Sequence, residues 1–174
     1  MRRGFIRVVV VALTASAVLL AGGASASAAP SITATPGEPI TLQDRVVVNV
    51  PVTVVCDSLG LTDAIGDFVS VTVQQASGRD ITTGTGSLGA AFSFPGAPSF
   101  FTCDGTGHTF VVPVLPDAGE GPFHGGPAVI TGVFAHHSEG SGCVFFPEGG
   151  GFCSETATES FFDSTPISIS IRGG

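Results

Sequence analysis

In the stretch 45–57 every even position from Val46 onward is apolar (Val46, Val48, Val50, Val52, Val54, Cys56), while the odd positions are mixed. A period of two predicts a β-strand with one buried face. Pro51 lies on the mixed face and removes a ladder donor, so this strand is expected to be locally an edge or bulged there. The same alternation returns with Val69, Val71 and Val73 in 68–76, and with Phe110, Val112 and Val114 in 108–115. In 127–137 both faces carry apolar residues, which predicts a strand covered on both sides. Shorter strands are predicted at 31–35, 40–42, 80–87, 90–94 and 156–162, and a closing one carries Ile167, Ile169 and Ile171. Gly, Pro, Asp and Ser clusters punctuate them: Pro36-Gly37, Ser77-Gly78, 95–99, Asp104-Gly105-Thr106-Gly107 and the long 116–126 loop. Seven to nine strands spaced about 8–12 residues apart, with no helical period after residue 28, predict an all-β fold. The expected architecture is a two-sheet antiparallel sandwich of the immunoglobulin-like kind, although no Trp is present to build the Cys-Trp-Cys core of antibody domains.

The first 28 residues have a different pattern. Arg2, Arg3 and Arg7 precede an apolar run over 8–20, too short to span a bilayer comfortably, and Ala26-Ser27-Ala28 fits a small-x-small cleavage rule. Residues 1–28 thus read as a signal peptide and 29–174 as a single domain, secreted and free of the membrane after cleavage. Such a domain can bury about two-thirds of its unfolded surface. Cleavage removes three of the six basic residues and none of the 14 acidic ones, leaving Arg45, Arg79 and Arg172 against 14 acids, a net −11. That balance disfavours phosphate backbones and anionic lipid, so neither nucleic acid nor membrane is an expected partner.

Export also decides how the four cysteines read. All lie in the mature part, and an oxidising compartment favours two disulfides over a thiolate metal site. Of three pairings, Cys56–Cys103 with Cys143–Cys153 is preferred, because Gly149-Gly150-Gly151 lets the second pair close a short turn. On a loop-entropy model the two bridges contribute about 4 and about 3 kcal/mol.

Several motifs resemble those of small secreted β-sandwich proteins of actinomycetes that have no assigned function. They are Gln74-Gln75-Ala76-Ser77-Gly78, then Cys103-Asp104-Gly105-Thr106-Gly107-His108-Thr109-Phe110, then Pro122-Phe123 with Gly126 and Ala128. The resemblance covers about 46–172, implies the fold and the export, and implies no activity.

Candidate chemistry is sparse. Gly84-Thr85-Gly86-Ser87-Leu88-Gly89 fits the dinucleotide pattern G-x-G-x-x-G but lacks the following helix that would hold a pyrophosphate, so it reads as a turn. His136 and His137 are adjacent on a strand and face opposite ways. With His108 and His124 they read as exposed edge residues, and no metal site is expected. Asp57, Asp63 and Asp67 lack EF-hand spacing and read as solvated loop acids rather than a Ca2+ site. His137-Ser138-Glu139 sets three triad residue types side by side, where a working triad converges from distant segments. No catalytic residue and no cofactor is expected from these.

The doubled phenylalanines are the remaining signal. Phe145 with Phe146, and Phe161 with Phe162, each send one ring inward and one outward, so outward rings are candidates for an apolar contact. The leading expectation is a secreted, disulfide-stapled, non-enzymatic module whose partner is an extracellular protein. One alternative is a carrier of an apolar small molecule, resembling the neocarzinostatin family in export, acidity and disulfide count but not in length or cysteine spacing. Another is a metal-binding sandwich enzyme.

Overall fold

The alternating valines build the centre of the molecule. In strand β3 (Val47–Asp57), Val48, Val50, Val52, Val54 and Cys56 are all buried. Each such valine contributes about 1.5–3 kcal/mol relative to an exposed one. One edge of β3 pairs with β1 (Thr33–Pro36) and then with β2 (Ile40–Gln43), and the other edge pairs with β6 (Asp104–Pro116). The Gly37 amide donates to the Pro51 carbonyl at 2.8 Å. The carbonyl and amide edges of one strand residue face the same way, so the donor that Pro51 lacks faces the interruption between β1 and β2. The expected local edge is therefore this break. The computed structural model describes residues 32–44, 46–90, 99–146 and 151–173; the leader expected over 1–28 lies outside them.

A second ladder forms around β4 (Asp63–Ser77) and β7 (Gly126–Ser141), which pair antiparallel. A tight turn at Gly78 returns β4 into β5 (Asp80–Ala90). The far edge of β7 is shared. Strand β10 (Glu155–Asp163) covers its C-terminal half and β11 (Ile167–Gly173) its N-terminal half. A separate ribbon of β8 (Val144–Phe145) and β9 (Gly151–Phe152) is closed by the Cys143–Cys153 disulfide.

The two ladders meet at two seams. Strands β2 and β11 pair in parallel, and β5 touches β6 through Gly84 opposite Pro116 and Thr85 opposite Leu115. The hydrogen-bonded strands thus form one mixed nine-stranded sheet. This corrects the all-antiparallel expectation: the first strand, broken at Gly37, reaches both its sequence neighbour β3 and the last strand, and it runs in the same direction as the latter. The fold is all-β, and the described residues contain no helix. Inward residues of both ladders share one core, including Val50, Val71, Val112, Ile130 and Ile171.

Three local expectations also change. Asp63 and Asp67 belong to β4 rather than to a loop, and Asp104-Gly105-Thr106-Gly107 opens β6 rather than forming a free turn. Gly84, Gly86 and Gly89 lie within β5. A Cβ on Gly84 would stand 2.2 Å from the Leu115 carbonyl oxygen, and one on Gly86 would stand 2.1 Å from that of Pro113. These two glycines are there because β6 crosses β5 at backbone contact. Of the strand expected over 90–94, Ala90 ends β5 and the remainder lies outside the described residues.

Candidate functional site

Along β7 the inward positions run Ala128, Ile130, Val133, Ala135 and then change to His137 and Glu139. Two residues apart on a strand, His137 and Glu139 share a face. Across the ladder the residue opposite His137 is Asp67 of β4. All three are inside: Asp67 and His137 are 1% exposed and Glu139 7%.

The imidazole is held from both sides. Nδ1 lies 2.6 Å from Asp67 Oδ1 and Nε2 lies 3.1 Å from Glu139 Oε1. Ionised carboxylates only accept, so the pair of contacts favours a ring that donates from both nitrogens, the imidazolium form. Burial alone would lower the His137 pKa. The Asp67 hydrogen bond and charge, then those of Glu139, outweigh it and raise the value above 6.5. Burial would raise Asp67, but His137, the Ser99 hydroxyl and the Phe101 amide hold it below its ordinary 3.8. Burial would likewise raise Glu139, and the Leu61 and Leu59 amides, His137 and Ser58 hold it below 4.5.

Each carboxylate also grips a loop. Asp67 Oδ2 accepts from Ser99 Oγ at 2.5 Å, from the Phe100 amide at 2.9 Å and from the Phe101 amide at 3.3 Å. Glu139 accepts from Ser58 Oγ at 3.1 Å and from the Leu61 amide at 2.9 Å. The Cys56–Cys103 disulfide ties the same two loops a few residues away. Between them lies a cavity of about 290 Å³, lined in part by Ser58, Thr62, Ser99, Phe101, His137 and Glu139. No buried side-chain polar atom among the described residues lacks a partner.

This geometry limits the chemistry. A serine nucleophile needs an imidazole nitrogen with a free lone pair. Here Ser99 and Ser58 donate to carboxylates, and both nitrogens of His137 are occupied as donors. Ser138 points to the opposite face and donates to the Ala157 carbonyl at 3.4 Å. The cluster is suited to fixing two loops onto the ends of β4 and β7.

No family model, curated protein or solved structure matches the chain.

The structure separates most of the residues that the sequence singles out. His137 and Asp67 are buried partners, correcting the expectations of an exposed edge histidine and a solvated loop acid: β7 is flanked on both sides, and β4 starts early enough to carry Asp67 inside. Asp57 is exposed and pairs in register with Asp104. His108 bonds Asp104 at 3.1 Å on the surface, and that carboxyl is lowered to about 2 by the Thr106 hydroxyl and amide and by His108. His124 lies in the loop before β7, and His136 faces outward against Ser160 Oγ at 2.9 Å. Among the described residues no group of three His, Cys, Asp or Glu side chains is arranged to hold a metal ion.

The cysteines pair as Cys56–Cys103 and Cys143–Cys153. Phe161 packs against the core, while Phe162 points outward. Phe146 pairs with Phe152 on the stapled ribbon, with ring centroids 6.0 Å apart, and the Phe145 backbone lies in β8. Phe146, Phe161 and Phe162 do not line the cavity beside His137. Sequence reasoning missed the Asp67–His137–Glu139 cluster. Its one available signal was the two-residue spacing of His137 and Glu139 at the end of an apolar strand face.

Proposed function

We propose that this chain is an exported, immunoglobulin-like β-sandwich module, stapled by two disulfides, that acts by presenting surfaces rather than by catalysis. The carrying observation is the engagement of both His137 nitrogens by Asp67 and Glu139. The side chains best equipped for acid–base work are spent on holding the loops at 58–61 and 99–101. Support for the sandwich comes from the ladder order: β1–β3–β6 on one side, β10 and β11–β7–β4–β5 on the other, with a split first strand bridging to the last. Support for export comes from the oxidised cysteines and the 1–28 leader pattern. The resemblance to small secreted actinomycete proteins belongs to the same proposal.

The test is to produce the full chain in an exporting bacterium and measure the intact mass and free thiols of the protein in the medium. The expected result is the mass of residues 29–174 less four hydrogens, with no titratable thiol. Retention inside the cell with reduced cysteines would overturn it. A stoichiometric metal on the exported protein would move the assignment to the enzymatic alternative.

A further inference from the structure

The outward face of the β10–β7–β4–β5 ladder differs chemically from the rest of this acidic chain. On β4 the outward residues Phe68, Ser70, Thr72 and Gln74 alternate with the buried Asp67, Val69, Val71 and Val73. Register sets His136 beside Phe68 and Phe134 beside Ser70. It also sets Ser160 beside His136 and Phe162 beside Phe134. On the other flank Ser87 lies beside Ser70 and Thr85 beside Thr72. No residue of this area is charged, although the chain has 14 acids. The acids of β10 alternate with Ser160 and Phe162 and so lie on the opposite face.

Two kinds of group interleave there. The rings of Phe68 and Phe134 have centroids 5.2 Å apart, and His136 lies 5.4 Å from Phe68 and stacks on Phe134 with planes 7° apart. Phe162 is 66% exposed, and its ring edge would touch a Cβ on Gly132, so it lies along the sheet surface beside Thr72. Beside the rings run hydroxyls, with Thr72 and Thr85 bonded at 3.2 Å. Burial lowers the pKa of His136, which keeps the ring neutral at pH 7.

We propose that this face binds a neutral polysaccharide, laid across the strands with sugar rings on Phe162, Phe134 and Phe68 and with sugar hydroxyls meeting Ser70, Thr72, Thr85 and His136. The inference rests on the surface-presenting reading above and names its partner class. Polarised C–H groups of a pyranose are attracted to the negative faces of aromatic rings. The sugar's outward hydroxyls satisfy serine and threonine groups that a purely apolar partner would leave unpaired. The absence of charge matches a neutral polymer, and a second copy of this face would bury hydroxyl rows against each other around only three rings per copy.

The test uses the exported, oxidised full chain in native gels containing hydroxyethylcellulose, xylan, soluble glucan or alginate, with insoluble cellulose and chitin in pull-downs. Retardation or retention by at least one neutral polymer, persisting at about 1 M salt, is expected. Phe162→Ser should weaken it about tenfold while leaving Tm unchanged, and Phe162→Tyr should restore it. Binding to no neutral polymer, binding to alginate alone, or a dimer dissolved by Phe162→Ser would each overturn the inference. Exported, thiol-free protein that binds no glycan would defeat only this inference; protein found reduced inside the cell would defeat the module reading itself.

Discussion

The two ends of the β4–β7 ladder close the same core by different means. At one end Asp67, His137 and Glu139 form a charged cluster that holds two loops. Eight residues further along β4, about 26 Å away, Gln75 does the corresponding task without charge. Its Nε2 donates to the His124 carbonyl at 2.7 Å and its Oε1 accepts from the His124 amide at 2.8 Å, so the side chain pairs with the loop as a strand would. Beside it Phe123 is fully buried, its ring occupying space left by Gly84. The neutral end is an amide plus an apolar plug, and neither of those two side chains ionises. The charged end adds a disulfide, and its strength depends on three protonation states.

The sign of that dependence follows from the shifts. Asp67 and Glu139 lie below their ordinary 3.8 and 4.5, so their contribution is present above those values and drains away as pH falls through the lowered ones. His137 lies above 6.5, so its contribution is complete below 6.5 and is lost as pH rises through the raised value. The charged end is therefore strongest between about pH 4.5 and 6.5 and weakens on both sides.

The largest predicted effect comes from breaking the charged end. His137→Ala strands two buried carboxylates and should cost about 3–5 kcal/mol, with the pH dependence of urea midpoints flattened between pH 5 and 8. Phe123→Ala at the neutral end should cost about as much, roughly 3–5 kcal/mol through its cavity, but should leave the shape of the pH profile unchanged. If both variants altered the profile alike, the contrast between the ends would be lost. Gln75→Leu is smaller, about 1–3 kcal/mol, because it leaves the His124 amide and carbonyl unpaired. Hydrogen exchange should show that loss as faster exchange at His124 and its neighbours, with the Phe100 and Phe101 amides unaffected.

Strand identity was legible because alternation is local: Val48 through Cys56, and Val69 through Val73, each declare their buried face within a few residues. The split first strand was partly legible, since Pro36-Gly37 and Pro51 mark the break, but its parallel pairing with β11 joins residues more than 120 positions apart and leaves no local trace. The charged cluster was hidden for a similar reason. Asp67 sits among Gly and Asp residues that read as a loop, and only the register of β4 against β7 brings it to His137, 70 positions away. Polar residues at the end of an apolar strand face look solvent-exposed until the loops that cover them are known. The G-x-G-x-x-G run shows the converse, a motif whose glycines answer to a crossing strand instead of a ligand.

The most direct test of the charged end is the ionisation state of His137 itself, read from imidazole 15N and 1H shifts in histidine-labelled protein across pH 5 to 9. Both ring nitrogens should be protonated at pH 7, with a midpoint above 6.5, and Glu139→Gln should lower that midpoint. A neutral His137 ring at pH 7, titrating at or below the ordinary value, would contradict the account.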